Sequence, residues 1–297
     1  MLRAGGVVCA RVAGKKLHLT SGQAKETSAI QRTRSGAYNR VYFLEEYDDV
    51  VVRVSRAPLD EAGQREYYAE IATQRALARA GIAPRVLCVV HLTPAAKCSR
   101  AERPYRRKLK VGYAMERFDT SLGEALDRGY AFTRQSKRAL VELFERAATM
   151  VRCVDTTAAN VVARFTPNGA EFKMIDVDGY FCGYLEADAE RVDAALRAWD
   201  TGTARASAGA YAALGLLVLC VHARVPWIAR MLLRYEAGLV RLVSDDAAAL
   251  AMRSARDRLV WTHAQVSVLR MLREYGGVRA AWDVPAKLRE IAALTPA

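Results

Sequence analysis

The sequence has no CxxC pair, few histidines, a deficit of acidic residues and no long apolar run. Each shortage removes a class of protein. The six cysteines (Cys9, Cys88, Cys98, Cys153, Cys182 and Cys220) are scattered, which argues against a disulfide-stapled secreted domain and for a reducing, intracellular compartment. The four histidines (His18, His91, His222 and His263) lie apart from any cysteine pair, so a zinc site is not expected. The longest uncharged stretch, Ala206 to Val221, is bounded by Arg205 and His222. It falls short of the roughly 20 apolar residues a membrane helix needs, so it reads as a buried core helix and no membrane span is expected. The opening segment MLRAGGVVCARVAGKK has too short an apolar core for a signal peptide. Only 32 acidic residues offset 45 Lys and Arg, leaving a net charge of +13. That balance favours acidic partners such as nucleic acid, polyphosphate, a membrane surface or acidic protein, without choosing among them.

What is present suffices for a large core. The 297 residues are 52% hydrophobic, and at roughly 150 residues per domain the length suits two domains or one large two-part unit. Residues 1–30 carry weak signals and read as an extension, either an arm or an extra strand. From Gln31 the texture changes. Val41 to Leu44 and Val50 to Val54 are β-branched or aromatic runs around the polar turn Glu45 to Asp49, which predicts a hairpin. Asp60 to Ala80 predicts a helix that stops at Gly81, with Pro84 beyond. Val86 to Leu92 and Val111 to Met115 predict two further strands around a basic loop, Lys97 to Lys110. After Phe118 the pattern is helical (Leu122 to Arg128, then Arg134 to Arg152). Two short β-like segments follow, Asn160 to Phe165 and Phe172 to Ile175, about the turn Pro167-Asn168-Gly169. From Ala187 onward the chain is helical in period. The expected class is α+β: a small β-rich lobe followed by a larger helical one.

Four features carry chemistry in an informative order. Gly36-Ala37-Tyr38-Asn39-Arg40-Val41 is a small-residue turn between strands, where backbone N–H groups can approach phosphates. Arg53 is a cation on a strand and Glu70 a carboxylate on the following helix; each alone reads as a solvated charge. Asp155 and Asn160 stand five residues apart after a long helix. There a carboxylate can accept a proton while an amide oxygen ligates a metal. Finally, Met174-Ile175-Asp176 delivers an aspartate from a strand into a turn, a donor type that suits Mg²⁺.

In this order the motifs resemble the protein-kinase superfamily, over about Gln31 to Gly179. The texture is most similar to the divergent serine/threonine kinases of large DNA viruses. The resemblance implies a bilobal kinase-like fold, with an N-lobe over 31–117 and a C-lobe over 118–297. It implies ATP and Mg²⁺ as cofactors and a protein substrate, in the host cytoplasm or virion if the protein is viral. It implies Asp155 as catalytic base and Asn160 and Asp176 as Mg²⁺ ligands. Arg53 would stand where the ATP-anchoring lysine stands, with Glu70 as its partner. Gly36, Ala37, Tyr38, Asn39 and Val41 would form the phosphate loop, and Met115 and Glu116 the approach to adenine.

The chain also departs from the pattern. Arg34 and Asn39 replace the first and third loop glycines, Arg53 replaces lysine, and Thr157 stands where many such kinases have lysine. No Ala-Pro-Glu segment follows Asp176, and the helix holding Leu214-Gly215-Leu216 lacks the expected aspartate. Two alternatives therefore stay open: a catalytically impaired pseudokinase serving as a binding scaffold, and a small-molecule kinase of the aminoglycoside- or choline-kinase type. The basic surface keeps nucleic acid among the candidate partners.

Overall fold

A run of valines and one amphipathic helix organise the N-terminal part of the chain. The computed structural model describes residues 10–12, 15–17, 24–26, 39–44, 47–55, 59–92, 110–150, 156–176, 191–203, 207–244 and 255–294. Gly36, Ala37, Tyr38, Asp155 and most of the basic loop lie outside these residues. The architecture is mixed α+β, in two compact units, Met1–Phe118 and Asp119–Ala297. Among the described residues no helix is long and apolar enough to cross a membrane.

In the first unit, β1 (Ala10–Val12) and β2 (Lys15–Leu17) form an antiparallel pair. The main sheet contains β3 (Ala24–Glu26), β4 (Asn39–Leu44), β5 (Tyr47–Ser55), β6 (Val86–Leu92) and β7 (Lys110–Glu116). It is antiparallel throughout, in the order β3-β4-β5-β7-β6. Helix α1 (Glu61–Arg79) lies between β5 and β6 in sequence. Strand β5 is central and covered on both faces, which explains its unbroken Val50-Val51-Val52 run. Opposite Val54, β7 carries Gly112, and a Cβ there would lie 2.3 Å from the Arg53 carbonyl oxygen.

Asp60 caps α1 by accepting from the Gly63 N–H at 2.9 Å. Tyr67, Ile71, Gln74 and Leu77 form its buried stripe at helical spacing. Gly81, at φ +74°, ends the helix: the Ile82 N–H donates to the Leu77 carbonyl and the Gly81 N–H to that of Ala78, satisfying two orphan acceptors. Tyr67 and Ile71 of this stripe pack on Val51, Val111, Tyr113 and Met115.

In the second unit, β8 (Thr120–Ser121), β9 (Val161–Thr166) and β10 (Gly169–Met174) form a small antiparallel sheet in the order β10-β9-β8. Strand β8 was not expected, since two residues carry no periodicity. The helices are α2 (Leu122–Asp127), α3 (Arg134–Met150), α4 (Val192–Asp200), α5 (Ala208–Ala223), α6 (Pro226–Leu232), α7 (Glu236–Ser244), α8 (Ala255–Gly276) and α9 (Val284–Ala292). Helix α5 is buried from Ala208 to Val221, as an all-round apolar helix must be, with α3, α4 and α8 packed about it. Trp199 of α4 stacks on Trp261 of α8 at 5.7 Å, and Tyr211 of α5 meets Trp261 edge-on at 4.9 Å. Gly215 lets α5 approach α3, since a Cβ there would lie 3.0 Å from the Phe144 ring.

Candidate functional site

The chemistry-bearing side chains fall into two clusters, one in each unit. In the first, strand pairing decides the arrangement. Val41 and Tyr113 flank Arg53, Phe43 and Met115 flank Val51, and Asn39 lies across from Ser55. Paired residues share a face and alternate residues return to it. Asn39, Val41, Arg53, Tyr113 and Met115 therefore lie on the sheet face against which α1 packs its Tyr67 and Ile71.

Both charges at this face are held by protein partners. Arg53 is 7% exposed, and its Nη2 lies 3.5 Å from Glu70 Oε1. The Tyr113 hydroxyl accepts from Arg53 Nη1 at 3.4 Å and donates to Glu70 Oε1 at 3.5 Å, so the phenol bridges the pair. A guanidinium carries donors only, so the Asn39 amide turns its oxygen toward Arg53. That oxygen accepts from Nε at 3.0 Å and from Nη2 at 2.7 Å, while the amide nitrogen donates to the Tyr67 hydroxyl at 2.9 Å. Four residues from three elements thus surround one buried guanidinium: Asn39 from β4, Tyr113 from β7, and from α1 Glu70 and, through Asn39, Tyr67.

Met115 is 8% exposed and belongs to the apolar core under α1. The Glu116 N–H donates to the Arg85 carbonyl at 2.9 Å. That amide is therefore committed to the sheet edge. Val41 is half-buried against the same core.

In the second unit the segment Thr156 to Asn160 is buried apart from the half-exposed Ala159, and several of its polar groups are paired. The Thr156 hydroxyl donates to the Gly215 carbonyl oxygen of α5 at 2.8 Å. The Ala158 N–H points to His222 Nδ1 at 3.5 Å, and the Ala158 carbonyl accepts from the Gly123 N–H of α2 at 3.1 Å. The Asn160 carbonyl accepts from the Ile175 N–H at 2.8 Å. That bond extends the β9–β10 ladder one step beyond Val161 and Met174, and it brings Asn160 alongside the residue preceding Asp176. Asp176 has φ +60°, the left-handed region, which Asp and Asn tolerate better than other side-chain-bearing residues. A non-glycine residue held there, at a strand end beside a buried amide, is the sort of local strain that accompanies functional positions. Among the described residues no group of three or more His, Cys, Asp or Glu could hold a metal ion.

The structure therefore brings together Asn39, Val41, Arg53, Glu70 and Met115 in one unit, and Asn160 with Asp176 in the other. Sequence reasoning missed Tyr67, Tyr113, Thr156 and His222. Tyr113 was within reach, because alternation along β7 places it on the Arg53 face. Thr156 and His222 bond across 59 and 64 residues, and no local pattern announces such contacts. The chain matches no family model and no curated protein sequence.

Proposed function

We propose that the chain is an ATP-dependent phosphotransferase with a bilobal protein-kinase-like fold, transferring the γ-phosphoryl group of ATP to a serine or threonine hydroxyl of a protein. One observation carries the reading. The third strand, in chain order, of a five-stranded antiparallel sheet holds a buried cation, Arg53, paired with Glu70 on the helix that follows. A strand-three cation paired with a carboxylate on the next helix is how protein kinases aim charge at nucleotide phosphates. The pairing of Asn160 with the approach to Asp176 supports the same reading.

Each residue has a chemical task in this scheme. Arg53, held by Glu70 and Tyr113, presents positive charge to the α- and β-phosphates. Asn160 and Asp176 would supply one carbonyl and one carboxylate oxygen, hard donors of the kind that suit Mg²⁺. The ion would supply neutralisation of charge on the phosphate oxygens. Asp155, covalently next to the anchored Thr156, orients the acceptor hydroxyl and takes its proton late in the transfer. Acidic proteins, and nucleic acid through the +13 charge, are the partners this reading favours.

A second reading, a binding protein that keeps the fold and lacks transfer, is favoured by the crowding of Arg53 with protein acceptors. The two readings separate on Mg²⁺-dependent turnover of γ-labelled ATP. An enzyme turns over, and Asp176→Asn abolishes the turnover; a scaffold is silent in both. ATP loss without protein labelling would point instead to a small-molecule acceptor.

A further inference from the structure

We propose that Asn39 sets the affinity of this site for nucleotide, by occupying the edge of Arg53 that a phosphate oxygen would take. The inference rests on the phosphotransferase reading and concerns what limits it. A guanidinium binds an anion through two N–H groups on one edge. Arg53 has two such edges, and both face protein. Glu70 and Tyr113 take the Nη1–Nη2 edge. The Asn39 amide oxygen takes the Nε–Nη2 edge, at 3.0 and 2.7 Å, in the place of a carboxylate or phosphate oxygen.

The two edges are not equally easy to vacate. Removing Glu70 would take the carboxylate away from a buried charge. Removing Asn39 gives up a neutral acceptor, and an incoming phosphate oxygen replaces it with a stronger charge-assisted bond. Position agrees with chemistry, since Asn39 begins β4 and directly follows in sequence the small residues Gly36 and Ala37 and the aromatic Tyr38. The Tyr67 hydroxyl, bonded to the amide nitrogen at 2.9 Å, keeps the oxygen turned to the guanidinium. Nucleotide therefore binds by displacing Asn39, and the displacement lowers affinity.

The test is calorimetric titration of the full chain with MgATP and, separately, with adenosine, which has no phosphate to compete. Asn39→Ala and the similar-sized non-acceptor Asn39→Leu should raise MgATP affinity by roughly 5- to 10-fold, the worth of one net hydrogen bond. Adenosine affinity should stay unchanged, a split that a merely structural role would not produce. Asn39→Asp, which holds Arg53 with a full charge, should lower MgATP affinity by at least about tenfold. Binding by the Ala or Leu variant where the wild type binds too weakly to measure would support the proposal most strongly. Wild-type binding that Asn39→Ala and Asn39→Leu leave unchanged or weaken would overturn it, with the phosphotransferase reading intact. Absence of MgATP binding in the wild type and every variant would overturn that reading and this proposal together.

Discussion

The Thr156 hydroxyl donates to the Gly215 carbonyl oxygen at 2.8 Å, tying the residue next to Asp155 to the middle of the buried helix α5. Gly215 also leaves room for Phe144, so one glycine serves both a helix crossing and a loop anchor. Thr156→Val keeps the shape and removes the donor. It should lower stability by about 1 kcal/mol and speed hydrogen exchange at Ala158 and Asn160. Thr156→Ser should retain slow exchange. Equal exchange in all three proteins would show that the loop is held without this bond.

Asp176 combines a left-handed backbone with a proposed ligand role, and substitutions separate the two. Asp176→Asn keeps a residue that tolerates φ +60°, so unfolding free energy should change by less than about 0.5 kcal/mol. Turnover should nevertheless fall by at least about 100-fold. Asp176→Ala should lose the same activity and a further ~1 kcal/mol of stability. Denaturant titration beside an ATP turnover assay reads both quantities.

Arg53 is buried and its partner Glu70 only partly so, so breaking the pair and replacing it have different consequences. Glu70→Ala leaves the guanidinium undercompensated and should cost about 3–5 kcal/mol. Arg53→Met combined with Glu70→Leu fills the space with apolar atoms and should recover at least half of that loss, while nucleotide binding stays abolished. Arg53→Lys keeps the charge and gives up the fork held by Asn39; it should preserve or raise turnover. Loss of turnover in Arg53→Lys would make the arginine an adapted ligand in its own right.

Gly112 is fixed by the strand beside it. A Cβ at 2.3 Å from the Arg53 carbonyl and 2.9 Å from Val54 Cα meets backbone, which cannot rotate aside. Gly112→Ala should destabilise by more than about 2 kcal/mol and disturb pairing of β5 with β7. A melting temperature equal to wild type would show that the strands separate more easily than the packing implies.

Burial pushes the Cys220 thiol up to about 12, against a smaller opposing effect of the Val225 backbone. A raised thiol pKa favours the protonated form, which is not the nucleophile. Cys220 should therefore resist alkylation by iodoacetamide at pH 8 in the native protein and react on unfolding. Peptide mapping that finds rapid native labelling at Cys220 would contradict its burial. The sign for stability follows: the contribution is full below the unfolded thiol pKa near 9 and is lost as pH rises toward 12.

The elements were legible where a single period or a stop signal governed them. Helix α1 runs over Glu61–Arg79 because Tyr67, Ile71 and Leu77 keep helical spacing and Gly81 can turn left-handed. Strand β8 was invisible because two residues carry no pattern. The site was half legible: residue types and order marked Arg53, Glu70, Asn160 and Asp176, since scarce groups in sequence suggest roles. Tyr67 and Tyr113 resembled core aromatics, and only the three-dimensional register turned their hydroxyls toward Asn39 and Arg53. Reading Arg53 as a solvated charge failed for the same reason, because alternation along β5 fixes a face without saying what covers it.

The central claim is phosphoryl transfer, and the direct measurement is incubation with γ-labelled ATP and Mg²⁺, comparing wild type with Asp155→Asn. The account predicts label on protein serine or threonine in the wild type, Mg²⁺-dependent and abolished in the variant. Folded wild-type protein that neither transfers label nor consumes ATP, or transfer that survives in Asp155→Asn, would contradict it.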